Sequence, residues 1–279
     1  MNIDTLIFSG GGVKCLSFLG GLSYLMEHNY VDKNLKNIKK IICVSGSLIF
    51  IIPLLVGYSI KETNNFFCKY DFENIISDEK KLLNNLIMEY GMYNNDHFCH
   101  VTEIFLEKKN LQITLTLKQL YELNNIELSI KVINLTKGKE EYLSHITHPD
   151  IPLTTALQMT TCIPLLFRPI IYKNEYYIDG GTLHNFPIDI NTSDNFLAMN
   201  VSNKDKKIND ILTIYDYIKS IIKLSIVNNT DTIDHRIIYI ETNVTMTDFN
   251  LSYEQKKNII QIGYDTLNKH FNTHIHIDS

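Results

Sequence analysis

Apolar positions along this chain alternate between short unbroken runs and stripes at helical spacing. Thr5-Leu6-Ile7-Phe8 is a short apolar run that ends at Gly10-Gly11-Gly12, after which Leu16, Leu19, Leu22, Leu25 and Met26 recur at the spacing of one helix face. The unit reads as strand, glycine-rich loop, helix. A second unit follows: Ile41-Ile42-Cys43-Val44 has the β-branched character of a strand, Ser45-Gly46-Ser47 has turn chemistry, and Leu48 to Val56 is apolar on every side. A helix of that kind belongs between layers, and Pro53 is expected to kink or shorten it. Gly20-Gly21 inside the first helix costs about 1 kcal/mol per glycine relative to alanine, so a close approach of that helix to the sheet is the expected compensation.

Residues 61 to 110 read as helical and amphipathic, with Leu82, Leu83, Leu86, Ile87 and Tyr90 forming one stripe for core packing. Thr116-Leu117-Lys118-Gln119 and Ser252-Tyr253-Glu254-Gln255 match capping boxes, in which hydroxyl and amide side chains satisfy free N–H groups at a helix start. Further strands are expected over Leu128 to Leu135, Glu175 to Ile178, Phe196 to Val201 and Ile237 to Ile240, and helices at about 210 to 227 and 253 to 271. The repeated strand–helix alternation predicts an α/β fold in three layers, α/β/α, with a mainly parallel central sheet. No linker composition divides the 279 residues, so one domain over 1–279 is expected.

The run from Ile41 to Ile60 carries no charge and matches the roughly 20 apolar residues of a membrane-spanning helix. Its internal change from strand to turn to helix favours a buried α/β unit, and a membrane anchor is the alternative. Met1-Asn2-Ile3-Asp4 lacks the basic flank and apolar core of a secretory signal, so a cytoplasmic protein is expected, with peripheral membrane contact open to it. A net charge of -5 and the absence of a basic stripe argue against nucleic acid. The five cysteines have no Cys-x-x-Cys spacing and read as reduced thiols. Asp96-His97-Phe98-Cys99-His100 is the tightest metal-like cluster, but adjacent ligands seldom converge, and a helix start is the simpler reading. No carboxylate-rich loop has calcium-ligand spacing, and no metal or other cofactor is expected.

Three backbone-permissive sites fall at predicted strand ends: Gly10-Gly11-Gly12, Ser45-Gly46 and Asp179-Gly180-Gly181. Acyl transfer by a serine needs a base beside the hydroxyl and N–H donors aimed at the developing oxyanion. Ser45 on a strand-to-helix turn is the candidate nucleophile, with Cys43 and Ser47 where a G-x-S-x-G elbow carries glycines. Gly10, Gly11 and Gly12 at a helix start are the candidate oxyanion hole; Lys14 lies between Val13 and Cys15, which does not fit a phosphate-binding Gly-Lys-Ser/Thr loop. Asp179 is the candidate base and needs burial to raise its pKa from about 3.9. His184 offers a Ser-His-Asp alternative ranked below the dyad, and His145 and His148 have no stronger claim.

These residues resemble the patatin-like phospholipases, lipid acyl hydrolases with a Ser-Asp dyad on an α/β/α fold. Ser9-Gly10-Gly11-Gly12-Val13-Lys14 is similar to that family's oxyanion loop, with Lys14 at its basic position and Cys15 replacing the usual following glycine. Ile42 to Ser47 resembles its elbow, Gly57-Tyr58-Ser59 the stretch after its buried helix, and Pro152-Leu153-Thr154-Thr155-Ala156, Ile163-Pro164, Phe167 and Pro169 the segment before its catalytic aspartate. Asp179-Gly180-Gly181-Thr182-Leu183-His184-Asn185-Phe186-Pro187 resembles the Asp-Gly-Gly block, and Asp248 to Ser252 with Gly263-Tyr264 the C-terminal pattern. The resemblance implies a hydrolase of phospholipids or related acyl lipids, with Ser45 and Asp179 as the dyad, Gly10 to Gly12 as the oxyanion hole, and Lys14, Gly46, Gly180 and Gly181 in support. A catalytically silent lipid-binding or scaffold protein on the same fold is the alternative that Cys43 and Ser47 leave open.

Overall fold

A computed structural model describes residues 2–72, 82–203 and 234–274, together with a few positions between 213 and 221. The chain opens with β1 (Thr5–Phe8), a 3-10 turn over Gly12–Cys15 and α1 (Leu16–Glu27), followed by β2 (Lys40–Val44) and α2 (Ser47–Leu55). Next come α3 (Ile60–Lys69), α4 (Leu82–Glu89), β3 (Gly91–Tyr93), α5 (Asp96–Lys108), α6 (Leu117–Asn124), β4 (Glu127–Asn134) and β5 (Lys139–Leu143). The remainder is α7 (Leu153–Thr161), β6 (Leu165–Phe167), β7 (Ile170–Tyr172), β8 (Glu175–Asp179), β9 (Phe196–Asn203), β10 (Ile237–Thr242) and α8 (Tyr253–His274).

The main sheet has the strand order β10-β9-β1-β2-β4-β8-β7, with β5 paired to β4. The five strands from β10 to β4 run parallel and β8, β7 and β5 are antiparallel additions, which gives the expected α/β class with a mainly parallel sheet. Alternation along the strands divides the core. Leu6, Phe8, Ile41, Cys43, Leu197 and Met199 join the large cluster with the helices, while Ile7, Ile42, Ala198 and Ile237 face Phe186 of the stretch between β8 and β9.

The uncharged run beginning at Ile41 is strand, turn and helix, with Pro53 inside α2 two residues before it ends at Leu55. No helix among the described residues is long and apolar enough to cross a membrane. Both capping boxes form: the Thr116 hydroxyl accepts from the Gln119 N–H, and the Ser252 hydroxyl from the Gln255 N–H. Ser59 and Glu62 form a third.

Several expectations are corrected. Gly20 meets a neighbouring helix rather than the sheet: a side chain there would run into the Ile260 carbonyl of α8, and one at Gly263 into the Ser17 carbonyl of α1. Of the pair, Gly21 alone has a strand residue, Met199, as its nearest neighbour. The stripe assigned to core packing is only half covered: Leu82 and Leu86 pack against the main core, whereas Leu83, Ile87 and Tyr90 are each at least 60% accessible. Periodicity shows that a helix has an apolar side, not that another element covers it, and Tyr90 lies beyond the helix with φ +63°. The short strands β3, β5, β6 and β7 were not anticipated, being too brief or too polar to show an apolar pattern. The helix expected at 210–227 lies largely outside the described residues.

Candidate active site

The register of β4 brings the two key side chains together. Val44 at the end of β2 stands opposite Lys131, and the next residue of β4, Val132, stands opposite Asp179 at the end of β8. Ser45, one residue past Val44, and Asp179 therefore meet across the same point of one strand. The Ser45 hydroxyl donates to Asp179 Oδ2 at 2.6 Å.

Ser45 has φ +58°, in the left-handed region that a residue with a side chain occupies at a cost of about 1–3 kcal/mol. Neighbouring groups hold it there. Its N–H donates to the Thr160 hydroxyl at 2.8 Å, and that hydroxyl donates to the Lys131 carbonyl at 2.7 Å. The Ser47 hydroxyl accepts from the Val44 N–H at 3.1 Å and donates to the Val44 carbonyl at 2.7 Å, so it closes the turn at a position where an elbow often has glycine. Cys43 turns into the main core and is fully buried. Gly46 is required by space, because a Cβ there would lie 2.8 Å from the Gly12 Cα.

Asp179 is 2% exposed. Burial pushes its carboxyl up to about 7, against the opposing pull of hydrogen bonds from the Ser45 hydroxyl and the Gly181 N–H. The Gly181 N–H donates to Oδ1 at 2.7 Å, which leaves Oδ2 turned to the serine. Gly180 packs against the Lys131 backbone, where a side chain would not fit.

The glycine loop closes over the pair. Gly12 has φ +55°, and a Cβ there would strike the Met246 carbonyl. Gly10 donates its N–H to the Asn185 carbonyl at 3.0 Å, and its own carbonyl accepts from the Asn185 side-chain amide at 2.8 Å. Of the three amides expected to face an oxyanion, that of Gly10 is therefore already engaged. The N–H groups of Gly11, Gly12 and Gly46 have no hydrogen-bond partner among the described residues. Lys14 is buried, with its aliphatic chain beside Gly11.

Ser45, Gly12 and Gly46 open onto a narrow groove whose other walls include Ile49, Phe50, Phe72, Phe98, Ile163, Phe167 and Phe249. Among the described residues, no charged side chain lines it. Such a wall suits an apolar ligand and disfavours burial of a charged group. The histidines find partners elsewhere: His184 is exposed with Nδ1 3.0 Å from Glu140, His145 stacks on Tyr121 with centroids 3.7 Å apart, and His148 lies 3.1 Å from the Thr147 hydroxyl. Asp96 to His100 form the first turns of α5. The five cysteines are free and buried.

Sequence reasoning missed Thr160, the clamp made by Asn185, and the role of Ser9 in the glycine loop, where its hydroxyl accepts from the Val201 N–H at 3.0 Å and ties the loop to β9. Asn185 stands within the Asp-Gly-Gly block and was visible there. Thr160 gives no local signal, since its partner lies 115 residues away.

The chain is similar to several known proteins. A lipid hydrolase designated probable, 463L of Invertebrate iridescent virus 6, is 31% identical over 186 residues, which cover 67% of this chain and 62% of that protein. The chain thus spans less than two thirds of that relative's length. The uncharacterized protein R571 of Acanthamoeba polyphaga mimivirus is 26% identical over 277 residues, covering 94% of this chain and 91% of that one. Among solved structures, VipD of Legionella pneumophila superposes with a TM-score of 0.62 at 22% identity, over 98% of this chain and 67% of VipD, a likeness of fold. The patatin-like phospholipase profile matches residues 6–191, from β1 through the Asp-Gly-Gly turn, and on that match the chain belongs to the patatin-like phospholipase family.

Proposed function

We propose that this chain hydrolyses the ester bonds of acyl lipids, phospholipids foremost, with Ser45 as nucleophile and Asp179 as general base. The observation that carries the reading is the 2.6 Å hydrogen bond between a serine in a left-handed elbow and a buried carboxylate, at the wall of an apolar groove. The groove would take the acyl chain and leave the head group in solvent.

In this reading Ser45 Oγ bonds to the acyl carbonyl carbon as its proton passes to Asp179 Oδ2, and the carbonyl electrons move onto oxygen. The oxyanion would be met by the unengaged N–H groups of Gly11 and Gly12, joined by that of Gly46, while Gly10 shapes the loop through Asn185. As the oxyanion collapses, the bond to the leaving alcohol breaks and Asp179 returns the proton to that alcohol. Water then gives a proton to Asp179 as its oxygen attacks the acyl carbon; the second oxyanion collapses, the bond to Ser45 Oγ breaks, and Asp179 passes the proton to Oγ, freeing the serine and the fatty acid. A carboxyl near pKa 7 is better matched to this exchange than one near 4, because it is both available as a base and able to return the proton.

Purified protein and Ser45→Ala, each given a soluble short-chain ester and phospholipid vesicles, test the proposal. Turnover by the wild type that the variant lacks is the expected result. Equal turnover by both would remove Ser45 from the reaction, and no turnover by folded wild type would favour a silent lipid-binding protein.

A further inference from the structure

Lys131 presents a fully buried ammonium with a specific set of partners. Its side chain is 0% exposed, and its Nζ lies 3.0 Å from Glu140 Oε1 and 3.1 Å from the His184 carbonyl, to which it donates. Removing an ammonium from water is costly, and here the cost is offset by a carboxylate and a backbone carbonyl that hold the Lys131 side chain in one place. It lies across the sheet from the groove: Ile130 and Val132 turn into the main core, and Lys131, between them, turns the other way.

The residue touches all three parts of the candidate site. Its carbonyl accepts the Thr160 hydroxyl that in turn accepts the Ser45 N–H. Gly180, next to Asp179, packs onto its backbone and onto its Cγ, which would be 2.9 Å from a Cβ. Its ammonium holds the carbonyl of His184, the neighbour of Asn185, whose backbone and side chain clamp Gly10. Glu140 completes the brace, reaching both Lys131 and the His184 ring at 3.0 Å.

We infer that Lys131, braced by Glu140, is a positioning residue for the Ser45–Asp179 pair, fixing the turn after Asp179 from behind the sheet; this rests on the hydrolase reading above. The ammonium does not meet substrate. Its role is to keep the stretch 180–185 at one distance from the elbow, so that carboxylate and glycine loop stay in register with the serine. Misplacement of reacting groups by about 1 Å can lower a rate by 10²-fold without altering what binds.

The test is steady-state kinetics on a soluble short-chain ester with the full chain, comparing wild type with the double variant Lys131→Met/Glu140→Gln, and thermal unfolding of both. Replacing both charges leaves no unpaired group behind, whereas removing Glu140 alone would strand the buried Lys131 ammonium against a partly exposed neighbour. The expected result is a kcat reduced roughly 10- to 10²-fold with KM unchanged and a cooperative unfolding transition retained. A merely structural pair would shift the transition and leave kcat alone, which would overturn the inference. Should the double variant not fold, Glu140→Gln keeps the ammonium on the His184 carbonyl: a severalfold fall in kcat at constant KM supports the brace, and wild-type kcat overturns it. Wild type without any turnover would defeat the hydrolase reading itself, a separate outcome from an active wild type with an equally active variant.

Discussion

The Ser45 hydroxyl donates to Asp179 Oδ2 at 2.6 Å across 134 residues of sequence, with no histidine between them. Both groups are buried, and the second carboxylate oxygen is fixed by the Gly181 N–H. Asp179→Asn keeps the shape and an acceptor for Gly181 but cannot take a proton. A positioned base contributes typically 10²- to 10⁴-fold, so kcat for a soluble ester should fall by about that factor. Titration calorimetry or fluorescence with a non-hydrolysable acyl analogue should show binding retained, since Asp179 does not line the groove.

The raised pKa of Asp179 sets the direction of the pH dependence. Its base form appears as pH rises through about 7, so kcat/KM should climb about tenfold per pH unit below that value and level off above it. A log rate flat from pH 5 to 8 would mean that Asp179 is ionised throughout or takes no part.

The same shift acts on stability with the opposite sign from a salt-bridged carboxylate. The folded state holds its proton up to about 7 while the unfolded chain releases it near 3.9, so Asp179 lowers stability progressively across that window, by at most about 4 kcal/mol at pH 8. Denaturant unfolding of Asp179→Asn should therefore show a gain over wild type at pH 8 that vanishes below pH 4.

Thr160 supports the elbow without touching substrate chemistry. Thr160→Val keeps the volume but leaves the buried Ser45 N–H without its acceptor, a loss of about 1–3 kcal/mol. Chemical denaturation should register it, together with a fall in kcat larger than any change in KM.

Gly20→Ala offers a control remote from the dyad. Its added methyl would press on the Ile260 carbonyl where α1 meets α8, and overpacking of this kind costs about 1–3 kcal/mol. The melting temperature should drop while kcat at permissive temperature stays at the wild-type value.

Much of this architecture was legible because it is written locally. The β1 and β2 runs, the turn at Ser45, the Asp-Gly-Gly turn and the capping boxes at Thr116 and Ser252 each lie within a few consecutive residues, and the structure places each at the expected strand or helix end. What the sequence concealed depends on partners far along the chain. The Thr160 hydroxyl, the Asn185 grip on Gly10 and the Lys131 brace have no pattern of their own, because each is defined by what the sheet register carries to it. The exposed stripe at Leu83 and Ile87 shows the same limit from the other side, as spacing reveals a helix face and not its surroundings. Ser47 is instructive too. Read alone it is a lost glycine, whereas in the fold its hydroxyl ties both backbone groups of Val44 and maintains the turn.

The central claim is that Ser45 is a nucleophile activated by Asp179, and covalent labelling with a fluorophosphonate followed by peptide mass mapping tests it most directly. The account predicts one adduct on the peptide carrying Ser45, absent in Ser45→Ala and formed far more slowly in Asp179→Asn. An adduct on another serine, or none on protein shown to be folded, would contradict it.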